Sequence, residues 1–232
     1  GASLFTSARD GRVDIRLVFE HIMGKTLRKF TTWMHGGRQL PLNGRQIASC
    51  LSIMRDVMRA VIYLHDRSPP IVHSDLKPGN IMVQRPWPTP TAKLLDFGVS
   101  RVVSRRSKIL GGTTGFRAPE SQRGSSPLWA RPPADMFAIG CILAYLASGQ
   151  VNHAESAMLP KEWREMVEAC RRADPSERPT ATELYRTMFE DNTVSASKTT
   201  SLATRCDVAS DEDDGISWED IWLESTDPLK RE

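Results

Sequence analysis

A carboxylate, an ammonium group and a side-chain amide stand close together in His73-Ser74-Asp75-Leu76-Lys77-Pro78-Gly79-Asn80. A carboxylate can accept a proton, an ammonium can hold an anion, and an amide offers both donors and an acceptor. Pro78 and Gly79 break any helix, so the run reads as an ordered loop. Taken alone, it is equally a polar surface turn. Sixteen residues after Asn80 a second carboxylate follows in Leu95-Asp96-Phe97-Gly98. Then comes Gly112-Thr113-Thr114-Gly115-Phe116-Arg117-Ala118-Pro119-Glu120.

In this order and at these spacings, the three elements resemble the catalytic loop, the magnesium-binding triplet and the end of the activation segment of protein kinases. Phosphoryl transfer requires the phosphates and the acceptor hydroxyl to be held in line and their charge neutralised. The resemblance implies that Asp75 orients a substrate hydroxyl and accepts its proton. It implies that Asn80 ligates one magnesium ion and that Asp96 bridges magnesium to the phosphates, a hard cation preferring oxygen ligands. Lys77 would lie near the transferred phosphoryl group, and Thr113 would support the Asp75–Lys77 pair from the substrate side. ATP and Mg2+ are the cofactors so implied, and a protein serine or threonine is the acceptor. Ser74 departs from the pattern, because most of the family has arginine there to meet a phosphate on the activation segment. Ile109 departs too, standing where the phosphorylated threonine commonly sits. Control by phosphorylation of this segment is therefore not expected.

These residues need elements to position them. Residues 4–19 hold two short apolar stretches separated by Asp10-Gly11, a hairpin signal. The second runs into His21-Ile22-Met23-Gly24 and resembles the last small-lobe strand entering the hinge. Phe19 would then be the gatekeeper, and the backbones of Glu20 and Ile22 would face an adenine ring; a plain edge hairpin is the alternative. Residues 27–34 suit a short helix. From 45 to 65, Ile47, Leu51, Met54, Met58, Ile62 and Leu64 recur at helical spacing, widened by Ala48, Val57 and Val61, and Pro69-Pro70 stops the helix. Residues 81–83 and 93–95 read as strands around a Pro-rich turn at 85–90. Met82 would floor the adenine site, or equally be a core methionine.

Arg101, Arg105, Arg106 and Lys108 form a basic cluster, either a solvated loop or a bias toward acidic substrates or an acidic tail. Residues 133–140 resemble the helix whose first aspartate, Asp135, bonds back to the catalytic loop; Asp135 suits a helix start in any case. Phe137 replaces the usual tryptophan. Eleven residues between Gly149 and Lys161 leave little room for the docking helix of the family. Residues 161–172 read as an amphipathic helix with Trp163, Met166, Val167 and Cys170 on one face. Thr180 or Thr182 would cap the next helix. Arg178 resembles the arginine that pairs with the motif glutamate, here Glu120.

The 232 residues allow one domain with a substantial core or two small ones. Hydrophobic content of 40% and charged content of 25% fit a soluble globular chain. The longest apolar run, residues 136–147, suits a core helix and not a membrane span. No secretory signal is read in these residues, which start at Gly1 rather than Met. Cys50, Cys141, Cys170 and Cys206 lack metal-ligand spacing and read as reduced thiols of a cytoplasmic or nuclear protein. Residues 1–190 carry 27 Lys+Arg against 17 Asp+Glu, or +10; residues 191–232 carry 4 against 11, or −7, which sums to the overall +3. Without aromatic–basic interleaving, the basic body does not point to nucleic acid. The acidic tail is expected to be disordered and is a candidate intramolecular partner of that body. Within it, Ile216, Trp218, Ile221, Trp222 and Leu223 form a possible docking peptide.

The expectation is an α+β protein-kinase-like fold, mostly the α-helical large lobe with the hinge and the last strands of the small lobe. Residues 1–190 would form the kinase domain and 191–232 the tail. The glycine-rich loop, strand lysine and helix glutamate implied by the resemblance do not occur in the sequence, and no lysine precedes Lys25. The expected activity is that of a serine/threonine protein kinase, weak or absent for this chain alone. A non-catalytic kinase-like binding module is the alternative.

Overall fold

The computed structural model describes residues 2–6, 13–36, 42–84, 89–103, 112–121, 131–150, 159 and 161–190. Strands β1 (Ala2–Thr6) and β2 (Val13–Leu17) pair antiparallel, Ala2 opposite Leu17 and Thr6 opposite Val13, as the Asp10-Gly11 signal leads one to expect. The turn itself lies outside the described residues. A two-residue strand, β3 (Lys25–Thr26), leads directly into helix α1 (Leu27–His35). Thr26 caps α1 by accepting from the Lys29 N–H, and Gly36 closes it at φ 54°, a left-handed turn that favours glycine.

Helix α2 (Gly44–His65) begins with a reciprocal capping box: the Asn43 side chain accepts from the Gln46 N–H, and the Gln46 side chain from the Asn43 N–H, both at 2.9 Å. Its buried stripe is Cys50, Ile53, Met54, Val57, Met58, Val61 and Leu64. The predicted stripe is thus turned slightly: Ala48 is exposed, while Ile47, Leu51 and Ile62 flank the core half-buried. The helix ends at Asp66, before Pro69-Pro70 can act.

Beyond it, β4 (Ile71–Val72) delivers the chain to the loop at 73–80. Strands β5 (Ile81–Gln84) and β6 (Thr91–Leu94) form an antiparallel hairpin, with β3 on the other side of β5. Alternation sets the use of β5: Ile81 and Val83 point into the core, and Met82 and Gln84 point away. The hairpin is fastened to α2, since Asp56 accepts from the Ala92 N–H and Ser52 donates to the Pro90 carbonyl. Strand β7 (Arg101–Val102) returns to pair with β4.

Helix α3 (Pro132–Ser148) is the centre of the core. It is apolar on nearly every side, and residues from Met136 to Ala147 are buried apart from Phe137. The expectation that Asp135 starts this helix is corrected: Arg131 is the N-cap, Pro132 and Pro133 occupy the first turn, and Asp135 follows them. Helix α4 (Lys161–Cys170) packs on α3, burying Trp163, Met166, Val167 and Cys170. Gly140 permits the close crossing, for a Cβ there would sit 2.7 Å from that of Cys170. Helix α5 (Ala181–Phe189) packs on α2 and is capped by Thr180, which accepts from the Glu183 N–H while Glu183 accepts from Thr180. Cys50, Cys141 and Cys170 are free and buried.

Candidate active site

Four of the predicted residues meet directly. Lys77 Nζ donates to Asp75 Oδ2 at 2.7 Å and to Thr113 Oγ1 at 2.8 Å, while Thr113 Oγ1 donates to Asp75 Oδ1 at 2.8 Å. Asn80 Nδ2 donates to the Asp75 carbonyl at 2.9 Å and to Oδ2 at 3.1 Å. Three side-chain donors therefore fix the Asp75 carboxylate. A carboxylate has about four lone-pair sites, so one remains for an incoming hydroxyl.

The loop carrying these groups is held from below by Asp135. Its Oδ2 accepts from the His73 N–H at 2.8 Å and from His65 Nε2 at 3.0 Å, and its Oδ1 accepts from the Ser74 N–H at 2.9 Å. This buried carboxylate makes it possible for Ser74 to adopt φ 69°, a region a non-glycine residue enters only under constraint. His73 is fully buried and bridges two motifs: its Nδ1 accepts from the Asp75 N–H, and its Nε2 donates to the Leu95 carbonyl. Its ring also lies 5.1 Å from that of Phe97.

The β5–β6 hairpin then sets the remaining residues. The Leu95 N–H donates to the Asn80 carbonyl at 2.8 Å, so Asp96 emerges beside the strand that follows Asn80. Asp96 is exposed, at φ 60°, and its Oδ1 accepts only from the Gly98 N–H among the described residues. Met82 lies opposite Lys93, and Lys93 pairs with Glu20. A Cβ on Gly24 would strike the Val83 carbonyl and Met82, so this glycine lets the segment before β3 lie against β5. Ile22 is half-buried, with no described contact to Asp75 or Asp96. Phe19, the expected gatekeeper, is 76% exposed.

The segment at 112–121 is tied down by Arg178. Its Nη1 and Nη2 donate to Glu120 Oε1 and Oε2 at 2.7 and 2.8 Å, and it also donates to the carbonyls of Pro133, Arg172 and Ala173. The arginine side chain is wholly buried and the glutamate partly exposed. The Phe137 ring lies under the guanidinium at 5.2 Å, a stacking role for the residue that replaces tryptophan.

Sequence reasoning assigned no role to His65 or His73. A histidine in the last turn of a helix carries no local signal of a partner 70 residues away. Arg105, Arg106, Lys108, Ile109 and the tail lie outside the described residues. No group of three or more His, Cys, Asp or Glu side chains that could hold a metal ion occurs among the described residues. Asp96 and the Asn80 amide oxygen are hard ligands of the kind Mg2+ takes, since that ion keeps several waters and binds through one or two protein oxygens plus phosphates. The residues present fit the ion.

With this geometry in place, comparison with known proteins is unambiguous in class. Residues 4–189 match the protein kinase domain, and the chain belongs to the protein kinase family. It is 31% identical over 182 residues to the serine/threonine-protein kinase/endoribonuclease IRE1a of Arabidopsis thaliana, covering 68% of this chain and 20% of that protein. It is 30% identical over 189 residues to the serine/threonine-protein kinase dst2 of Dictyostelium discoideum, covering 72% and 16%. Over 98 residues it is 38% identical to the calcium/calmodulin-dependent protein kinase type IV of Mus musculus, covering 41% and 20%. The chain thus spans a fifth or less of the length of these relatives. The fold is the expected α+β kinase fold, and the family generally uses ATP and Mg2+. Among the described residues, no helix is long and apolar enough to cross a membrane.

Proposed function

We propose that the site transfers the γ-phosphate of ATP to serine or threonine hydroxyls of a protein. The observation that carries this reading is the closed set of hydrogen bonds among Asp75, Lys77, Thr113 and Asn80. Asp75 is the group that orients the hydroxyl and takes its proton, with the carboxylate already held in place before substrate arrives. Lys77 supplies positive charge beside it, and Thr113 fixes the spacing of the two. Asn80 and Asp96 would hold Mg2+, which when bound offsets the charge on the phosphates. Glu20, Ile22 and Met82 line the side where the adenine would rest. Residues 1–190 act as the catalytic domain, and the acidic 191–232 segment docks on its basic surface. Binding of a peptide of residues 207–227, lost as salt rises, is the expected result; no binding in low salt argues against docking.

The 232 residues alone are slow, because they contain no glycine-rich loop or strand lysine over the phosphates, and loss of one such donor costs ~10²–10³ in rate. Transfer of labelled phosphate to mixed serine, threonine and tyrosine peptides tests the reading. Weak, Mg2+-dependent transfer to serine and threonine, abolished by Asp75→Asn, is expected. Absence of both transfer and Mg2+-dependent nucleotide binding would decide for a non-catalytic binding module.

A further inference from the structure

Along the outer side of α2, Arg55, Arg59 and Tyr63 stand four residues apart, all exposed. Residues at that spacing form one ridge of a helix, here about 12 Å long. Arg67 extends the ridge past the helix end. Its Nε donates to the Tyr63 carbonyl at 3.1 Å, and its guanidinium lies 4.1 Å from the Tyr63 ring centroid. Among the described residues, none of these three arginines pairs with a carboxylate. Asp56 accepts from the Ala92 N–H on the hairpin, and Asp66 is the one other acid in the stretch 55–67. Like charges four residues apart disfavour a helix, so the row of cations gains from an anionic partner.

The chain carries such a partner beyond α5. The first residues of α5, Ala181 and Thr182, wall a cavity together with His65 at the end of α2, while Phe189 in its last turn lies 5.1 Å from the Arg55 guanidinium. Helix α5 therefore runs back along α2, and the described chain ends at Glu190 beside one end of the ridge. Twenty residues, 191–210, lead on to 211–224, which hold seven Asp+Glu, no Lys or Arg, and both Trp218 and Trp222. A random coil of that connecting length spans about 22–27 Å, so the whole ridge is within reach. We propose that residues 211–224 dock along the α2 ridge, with carboxylates on Arg55, Arg59 and Arg67 and indole rings on the guanidinium faces. Exposed ion pairs are individually weak, but a tether holds the segment at a millimolar effective concentration, where weak contacts suffice. This rests on the tail being an intramolecular partner of the basic body, and it names the surface the tail takes.

The experiment uses the whole chain and a fluorescent peptide of residues 207–227, with binding read by anisotropy in low salt. In the unmodified chain the tail occupies the ridge and the peptide competes poorly. Asp211→Asn, Glu212→Gln, Asp213→Asn and Asp214→Asn together weaken that tethered competitor and should tighten peptide binding about tenfold. On this background Arg55→Gln with Arg59→Gln should weaken binding about fivefold, the effect of losing two exposed pairs. Lys29→Gln with Lys161→Gln removes the same charge from exposed positions on α1 and α4 and should leave binding unchanged. Circular dichroism checks the fold; should the double arginine variant fail to fold, Arg59→Gln alone decides, with a loss of about twofold. Peptide binding that the arginine variants leave unchanged, or that the lysine control weakens equally, overturns the ridge and leaves the docking of the tail standing. No binding to any of these chains overturns both.

Discussion

The catalytic-loop side and the hinge side of the β5–β6 hairpin are built on opposite principles. In the loop at residues 73–80 the buried polar groups are matched: Asp135 serves three donors, and His73 joins two motifs. On the side of Met82 and Gly24, Val18, Phe19 and Met23 stand 63%, 76% and 56% exposed, and the Glu20–Lys93 pair is open to solvent. The first region gains its order from within the described residues, because each buried donor would be costly if unmatched. The second presents apolar surface that nothing described covers, so it carries little of the stability. Preorganisation in this molecule is thus a property of the side that holds Asp75, Lys77, Thr113 and Asn80.

The strongest way to break the contrast is Arg178→Ala. It leaves Glu120 and the carbonyls of Pro133, Arg172 and Ala173 without their shared donor. Breaking a buried pair costs ~3–5 kcal/mol, and the partial exposure of Glu120 places this one near the lower end. At ~2–4 °C per kcal/mol for a domain of this size, Tm should fall by about 6–12 °C. A variant melting within a degree of the parent would show that the matched region does not hold the fold.

A smaller effect per group should come from alkali. Burial pushes the Cys50 and Cys170 thiols up to about 12 and Cys141 up to about 11. An unfolded cysteine ionises near ~8.5, so the folded state keeps protons that the unfolded state gives up. Stability is then full below about pH 8.5 and falls as pH rises toward the folded values, by on the order of 1 kcal/mol per thiol at pH 9.5. Denaturant midpoints at pH 7.5 and 9.5 measure it; equal midpoints would mean these thiols meet water. The smallest effect belongs to the open side. Phe19→Ser should change stability by no more than about 0.5 kcal/mol, as exposed positions do. A larger loss would place Phe19 in a packed environment and erase the comparison.

What could be read in advance follows from the range of the signal. The helices were legible because their apolar period repeats over many residues, and the meeting of Asp75, Lys77 and Asn80 because the three crowd one loop. The β4–β7 pair was not, for two residues carry no period. The start of α3 was misplaced for a related reason. Asp135 has the right chemistry for a cap, but its oxygens go to His65, His73 and Ser74, whose need for them is invisible locally.

The Asp135 anchor also fixes an order in time. Its partners His73, Ser74 and His65 precede it by 62, 61 and 70 residues. A ribosome adding about 5–20 residues per second makes Asp135 about 3–12 s after His73. Throughout that interval the nascent catalytic loop has no carboxylate to bind its N–H groups, and the left-handed turn at Ser74 has nothing to impose it. The catalytic loop is therefore made early and finished late, with its final shape waiting on a helix not yet synthesised.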